Sequence, residues 1–107
     1  MPAVSFKSGM KIRMHTLAEI ARRCGIEDGA LKVDCEGWEY DIILNATRET
    51  LRKFRAIIIE YHYGHMNLER KLKSAGFKVS HTMPYYTPKG ILEPNARYFG
   101  MIHATRE

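Results

Sequence analysis

The chain has little cysteine, a single tryptophan, few prolines outside one stretch and no long apolar run. Each shortage excludes something. Only Cys24 and Cys35 are present among 107 residues. They are not closely paired and fall in a helical and a strand-end pattern, so reduced thiols are expected rather than a bridge. No stretch approaches the roughly 20 apolar residues of a membrane span. Residues 1–14 carry Lys7, Lys11 and Arg13 but lack the apolar centre of a secretory signal. A soluble, cytoplasmic chain is the expectation. Repeats, linkers and low-complexity tracts are absent as well. With 45% hydrophobic residues at this length, only one core can be filled. Residues 1–107 therefore read as a single domain whose first ten residues are flexible or irregular.

What is present is a surplus of base: 17 Lys and Arg against 12 Asp and Glu, a formal charge of +5. Such a balance favours acidic partners. Yet the basic residues are dispersed as Arg22 and Arg23, then Arg52, Lys53 and Arg55, then Arg70, Lys71 and Lys73. Each group falls near a helix C-terminal half, where cations complement the helix dipole. The solvated-surface reading is preferred, and a nucleic-acid-associated basic domain rests on charge alone.

The elements follow from spacing. Residues 11–15 alternate basic and apolar as a half-exposed strand does. Thr16 and Glu19 form a capping box ahead of the stripe Leu17, Ile20, Ala21 and Cys24, which ends at Gly25. A strand is predicted over residues 30–34, then a helix after Gly37 with Tyr40, Ile43 and Leu44 inward. That helix restarts at a second cap, Thr47, and continues through Leu51 and Phe54. The run Ala56-Ile57-Ile58-Ile59 is apolar and β-branched, as in a central parallel strand covered on both faces. A helix follows from Asn67 with Leu68, Leu72 and Ala75 inward, and Gly76 sets up a Schellman ending with Phe77 against Leu72. Strands are predicted over residues 77–82 and 97–104, around a segment holding Pro84, Pro88, Gly90 and Pro94. The pattern is α/β, a mixed sheet of about four to five strands whose last two run antiparallel.

Ala30-Leu31-Lys32-Val33-Asp34-Cys35-Glu36-Gly37-Trp38-Glu39 carries the most information. A buried-strand signal runs into an acidic, Gly-containing turn, the junction at which ligands gather in open α/β sheets. Asp34 and Glu36 would meet Glu60 and His62 from the end of the next strand. Carboxylates and an imidazole so placed suit the orientation and deprotonation of a hydroxyl. Equally, Asp34 or Glu36 would serve as a plain cap of the following helix. The donors Asp34, Glu36, Glu60, His62 and His65 also raise a metal reading, with His62-Tyr63-Gly64-His65 at ligand-like spacing. Spacing alone constrains coordination loosely, so no metal site is assigned. His15, His81 and His103 read as ordinary strand positions. Trp38, Tyr61, Tyr63, Tyr85, Tyr86 and Tyr98 suit either an aromatic wall or ordinary packing. The loop pair Tyr85-Tyr86 is the one to test for acceptor contact.

Thr16-Leu17-Ala18-Glu19, the segment from Leu31 to Glu39, Ile57-Ile58-Ile59-Glu60-Tyr61-His62 and Ala75-Gly76-Phe77 together resemble the carboxyl-terminal half of the FkbM-type methyltransferases, over residues 11–105. The resemblance implies a Rossmann-like half-fold. It also implies methyl transfer from S-adenosylmethionine to an acceptor, often a hydroxyl of a sugar or secondary metabolite. In this light Asp34, Glu60 and His62 are the expected catalytic residues, and Glu36, Trp38, Tyr85 and Tyr86 the expected substrate contacts. The family holds its cofactor mainly through an amino-terminal half with a Gly-rich turn, and only Gly9 precedes residue 11 here. No cofactor-binding residue is named. The strand over residues 30–34 would then have a bare edge, to be covered by residues 11–15, a second copy, or a chain supplying the other half. Two functions follow: a methyltransferase completed by such a half, or a non-catalytic binding or oligomerisation module derived from the fold.

Overall fold

A computed structural model describes residues 3–6, 16–34, 37–82 and 100–107. Five strands and four helices follow in chain order: β1 (Ala3–Phe6), α1 (Leu17–Arg23), β2 (Gly29–Val33), α2 (Glu39–Leu44), α3 (Arg48–Leu51), β3 (Phe54–Tyr61), α4 (Met66–Ser74), β4 (Lys78–His81) and β5 (Gly100–Thr105). The sheet order is β1-β2-β3-β5-β4. β1, β2 and β3 run parallel, while β5 is antiparallel to both neighbours. This is an α/β mixed sheet of the Rossmann-like half-fold kind, with β3 at its centre.

Local chemistry accounts for the element ends. The Thr16 side chain accepts the Glu19 backbone N–H and Thr47 accepts that of Thr50, so both predicted caps form. Gly76, at φ +91, permits the Phe77 N–H to donate back to Leu72 O over 3.1 Å, the Schellman closure. Two basic side chains of the predicted helix-end groups reach across to other helices. Arg52 Nη1 donates to Ala75 O at the end of α4, and Lys71 Nζ donates to Leu44 O at the end of α2. Their charges satisfy carbonyls that a helix terminus leaves bare.

Four expectations need correction. The segment expected to be irregular at the start of the chain contains β1. Its residues pair in parallel register with β2, Val4 opposite Leu31, and so cover the edge expected to be bare. The basic residues just after it obscured the short apolar run. The predicted strand at residues 11–15 lies outside the described residues. In α2 the inward residues are Glu39, Ile42 and Ile43; Tyr40 is half-buried and Leu44 is 38% exposed. α3 stops at Leu51, and Phe54 instead opens β3.

The fourth correction concerns the sheet's faces. Leu31, Val33, Ile57, Ile59, Tyr61, Ile102 and Ala104 alternate onto one buried face and join Leu17, Ala21, Ile43, Leu51, Leu68 and Leu72 of the helices in a single core. On the opposite face Lys32 and His103 are exposed and Ile58 only half-buried. β3 is therefore covered on one side among the described residues, not on both, because the described helices share a face. The core includes the fully buried Tyr61, whose hydroxyl donates to Thr82 O and whose ring fills the space a side chain at Gly100 would need. Gly100→Ala is expected to lower stability by about 1–3 kcal/mol through overpacking, read from the midpoint of urea unfolding.

Candidate functional site

β2 and β3 pair in parallel with Val33 opposite Ile59, so Asp34 and Glu60 leave the two strands side by side at the carboxyl end of the sheet. His62 follows two residues after Glu60. One donor atom from each of Asp34, Glu60 and His62 lies within 4.8 Å of those from the other two. The three residues named as catalytic from sequence thus share one place. Asp34 and Glu60 are half-exposed, whereas His62 is 3% exposed.

A fourth residue holds the arrangement. The Glu39 side chain is wholly buried, and both of its oxygens are used. Oε1 accepts the Gly37 N–H over 2.7 Å; Oε2 accepts the His62 backbone N–H over 3.1 Å and faces His62 Nδ1 at 2.8 Å. One carboxylate therefore ties the turn after β2 to the end of β3. An isolated buried carboxylate is costly, and these three donors offset that cost. With Nδ1 held by Glu39, the second ring nitrogen faces the carboxyl cluster. Nε2 lies 4.0 Å from Glu60 Oε1. Tyr40 braces the same turn: its hydroxyl donates to Gly64 O at 2.6 Å and accepts the Tyr63 N–H at 2.8 Å. Burial pushes the Tyr40 hydroxyl up to about 12, so it remains a protonated donor.

The electrostatics follow from this packing. The hydrogen bond to Glu39 raises the His62 pKa above the ordinary imidazole value; burial opposes it, and the charges of Glu39, Glu60 and Asp34 add to it. Burial raises the Glu60 pKa, reinforced by the charge of Asp34 and a hydrogen bond between the two carboxyls, with His62 pulling the other way. The cluster accordingly offers two neighbouring carboxyls beside an imidazole whose orientation is fixed. That equipment suits binding a hydroxyl and accepting its proton. Its oxygen and nitrogen donors also form a set able to hold a cation.

Of the expected substrate contacts, Trp38 is half-buried against the core next to Gly37. Glu36, Tyr85 and Tyr86 lie outside the described residues. Trp38 occupies the N-cap position of α2 without a side-chain cap bond, and Asp34 makes its contact with Glu60. Sequence reasoning missed Glu39 and the role of Tyr40. Glu39 was visible as the last acid of the Asp34-to-Glu39 spacing, but a charged residue in the first turn of a helix reads as solvated.

A family model described as the methyltransferase FkbM domain matches residues 4–79. The chain belongs to the FkbM methyltransferase family. The match begins within β1 and runs through both acidic strand ends, the whole of α4 and the start of β4. No curated protein and no solved structure matches the chain. No helix among the described residues is long and apolar enough to cross a membrane.

Two measurements probe this cluster. The raised His62 pKa means its pairing contributes stability fully below the ordinary imidazole value, and that contribution is lost as pH rises through the raised one. Glu39→Gln should therefore melt well below the wild type near pH 6, with a gap that narrows toward pH 9 in thermal scans. Glu60→Gln should instead raise the melting midpoint, by an amount that grows with pH as the Glu60 acid ionises beside Asp34.

Proposed function

We propose that this chain is the acceptor-handling part of an FkbM-type methyltransferase acting on a hydroxyl group, such as that of a sugar. The observation that carries the reading is the convergence of Asp34, Glu60 and His62 at two adjacent strand ends, with the His62 ring oriented by a buried carboxylate. A hydroxyl seated there hydrogen-bonds to the Asp34–Glu60 pair, which turns its oxygen outward from the strand ends. The His62 ring would take the hydroxyl proton, and Glu39 would stabilise the resulting imidazolium. Trp38, Glu36, Tyr85 and Tyr86 would contact the rest of the acceptor.

S-adenosylmethionine, when bound, would supply an electrophilic methyl group. In this reading a second copy, a partner chain or a longer form of the protein would complete the donor site. Residues 1–107 act in this scheme as one folding unit, in the cytoplasm.

Calorimetric titration of the chain with S-adenosylmethionine, paired with transfer of labelled methyl to a panel of hydroxyl acceptors, tests the scheme. Label transfer that Asp34→Asn abolishes while leaving the thermal midpoint within a few degrees supports it. Heat at micromolar cofactor would assign a complete donor site to this chain. Failure of label transfer in every assembly, with the acceptor residues irrelevant to any binding seen, would leave the non-catalytic binding or oligomerisation module as the better reading.

A further inference from the structure

A second cluster lies at the same end of the sheet and shares no residue with the first. His65 precedes α4, Glu69 is one turn into it, and His81 ends β4. One donor atom from each lies within 4.8 Å of the other two. His65 Nδ1 is 3.4 Å from Glu69 Oε2, while His81 Nδ1 pairs with Glu69 Oε1. The two imidazole rings stack with centroids 3.8 Å apart and planes 20° off parallel, so both turn a nitrogen toward one carboxylate.

Ordinary hydrogen bonding explains only half of this. The His81–Glu69 contact is a complete hydrogen-bonded pair. His65 Nδ1, however, is buried and its 3.4 Å approach to Glu69 Oε2 lacks hydrogen-bond geometry, and its ring gives α4 no cap bond although it occupies the N-cap position. A buried polar atom left unbonded is costly, and native proteins rarely leave one without reason. A cation between the three donors removes the anomaly.

We propose that His65, Glu69 and His81 form a divalent metal site of the zinc class. Two neutral imidazoles and one carboxylate present a single negative charge and a nitrogen-rich donor set, which favours zinc over magnesium or calcium. Bonds of about 2.0–2.1 Å in a tetrahedron put neighbouring donors about 3.3 Å apart, close to the His65–Glu69 spacing observed; the His81–Glu69 pair is closer than this and would open to admit the ion. Three protein ligands leave the fourth position to water. The surroundings are those of a supported site: the Tyr61 ring meets His65 edge-on at 5.4 Å, and the Tyr61 hydroxyl bonds to Thr82 O beside His81. The metal fastens β4, three of whose four residues are exposed, to α4.

The test is titration of the chelator-treated chain with Zn2+ by calorimetry and with Co2+ by visible absorption. Expected are one equivalent bound at micromolar or lower concentration, the strong visible bands of tetrahedral cobalt, and a higher thermal midpoint with zinc. Glu69→Gln and His81→Ala should each weaken zinc binding at least about a hundredfold, because a ligand matters no less than the groups supporting it. His103→Ala and Asp34→Asn should leave it unchanged. Glu69→Gln preserves side-chain shape and keeps the test decisive if His81→Ala fails to fold. The proposal is overturned by absence of zinc binding in the micromolar range, by affinity that Glu69→Gln leaves intact, or by affinity that Asp34→Asn removes.

Discussion

The buried Glu39 carboxylate is the constraint on which the rest of the site depends. It draws hydrogen bonds from Gly37 and from both the backbone and ring of His62, joining two strand ends that β-sheet pairing alone would leave as independent loops. Removing its side chain would leave three donors without their acceptor in a buried place. The energetic stake is that of a broken buried pair, which exceeds what any exposed ion pair on this surface contributes.

Around that constraint, stability and chemistry pull in different directions. The core favours a fully apolar face, and Leu31, Val33, Ile57, Ile59 and Tyr61 supply it. Next to Val33 and Ile59 in sequence the side chains become Asp34 and Glu60, two carboxyls close enough to perturb each other. Their closeness serves no packing purpose. The charge of Asp34 beside Glu60 works against folding, and Glu60 is accordingly a residue whose loss is expected to strengthen the fold.

Much of this was legible in the chain because the signals were local. Thr16 and Thr47 announced their helices by side-chain chemistry acting over three residues, Gly76 announced a helix end, and the isoleucine run announced the central strand. Asp34, Glu60 and His62 could be grouped since parallel neighbours end at the same side of a sheet. What stayed hidden depends on distance in sequence. Glu39 became a buried anchor only through His62, 23 positions away. His81 looked like any strand residue until β4 packed beside α4. The β1 segment was obscured by the basic residues that follow it, and the one-sided burial of β3 could not be inferred from three consecutive isoleucines.

The strand order has a bearing on biosynthesis. β5, formed by residues 100–105, inserts between β3 and β4, and among the described residues it is the only ladder partner β4 has. A nascent chain emerging from the ribosome therefore carries β4 with its amide and carbonyl groups unmatched until β5 arrives, on the order of seconds later at ordinary translation speed. Over that interval the half-made sheet is a template for intermolecular strand capture, and the arrival of residues 100–105 is what closes it.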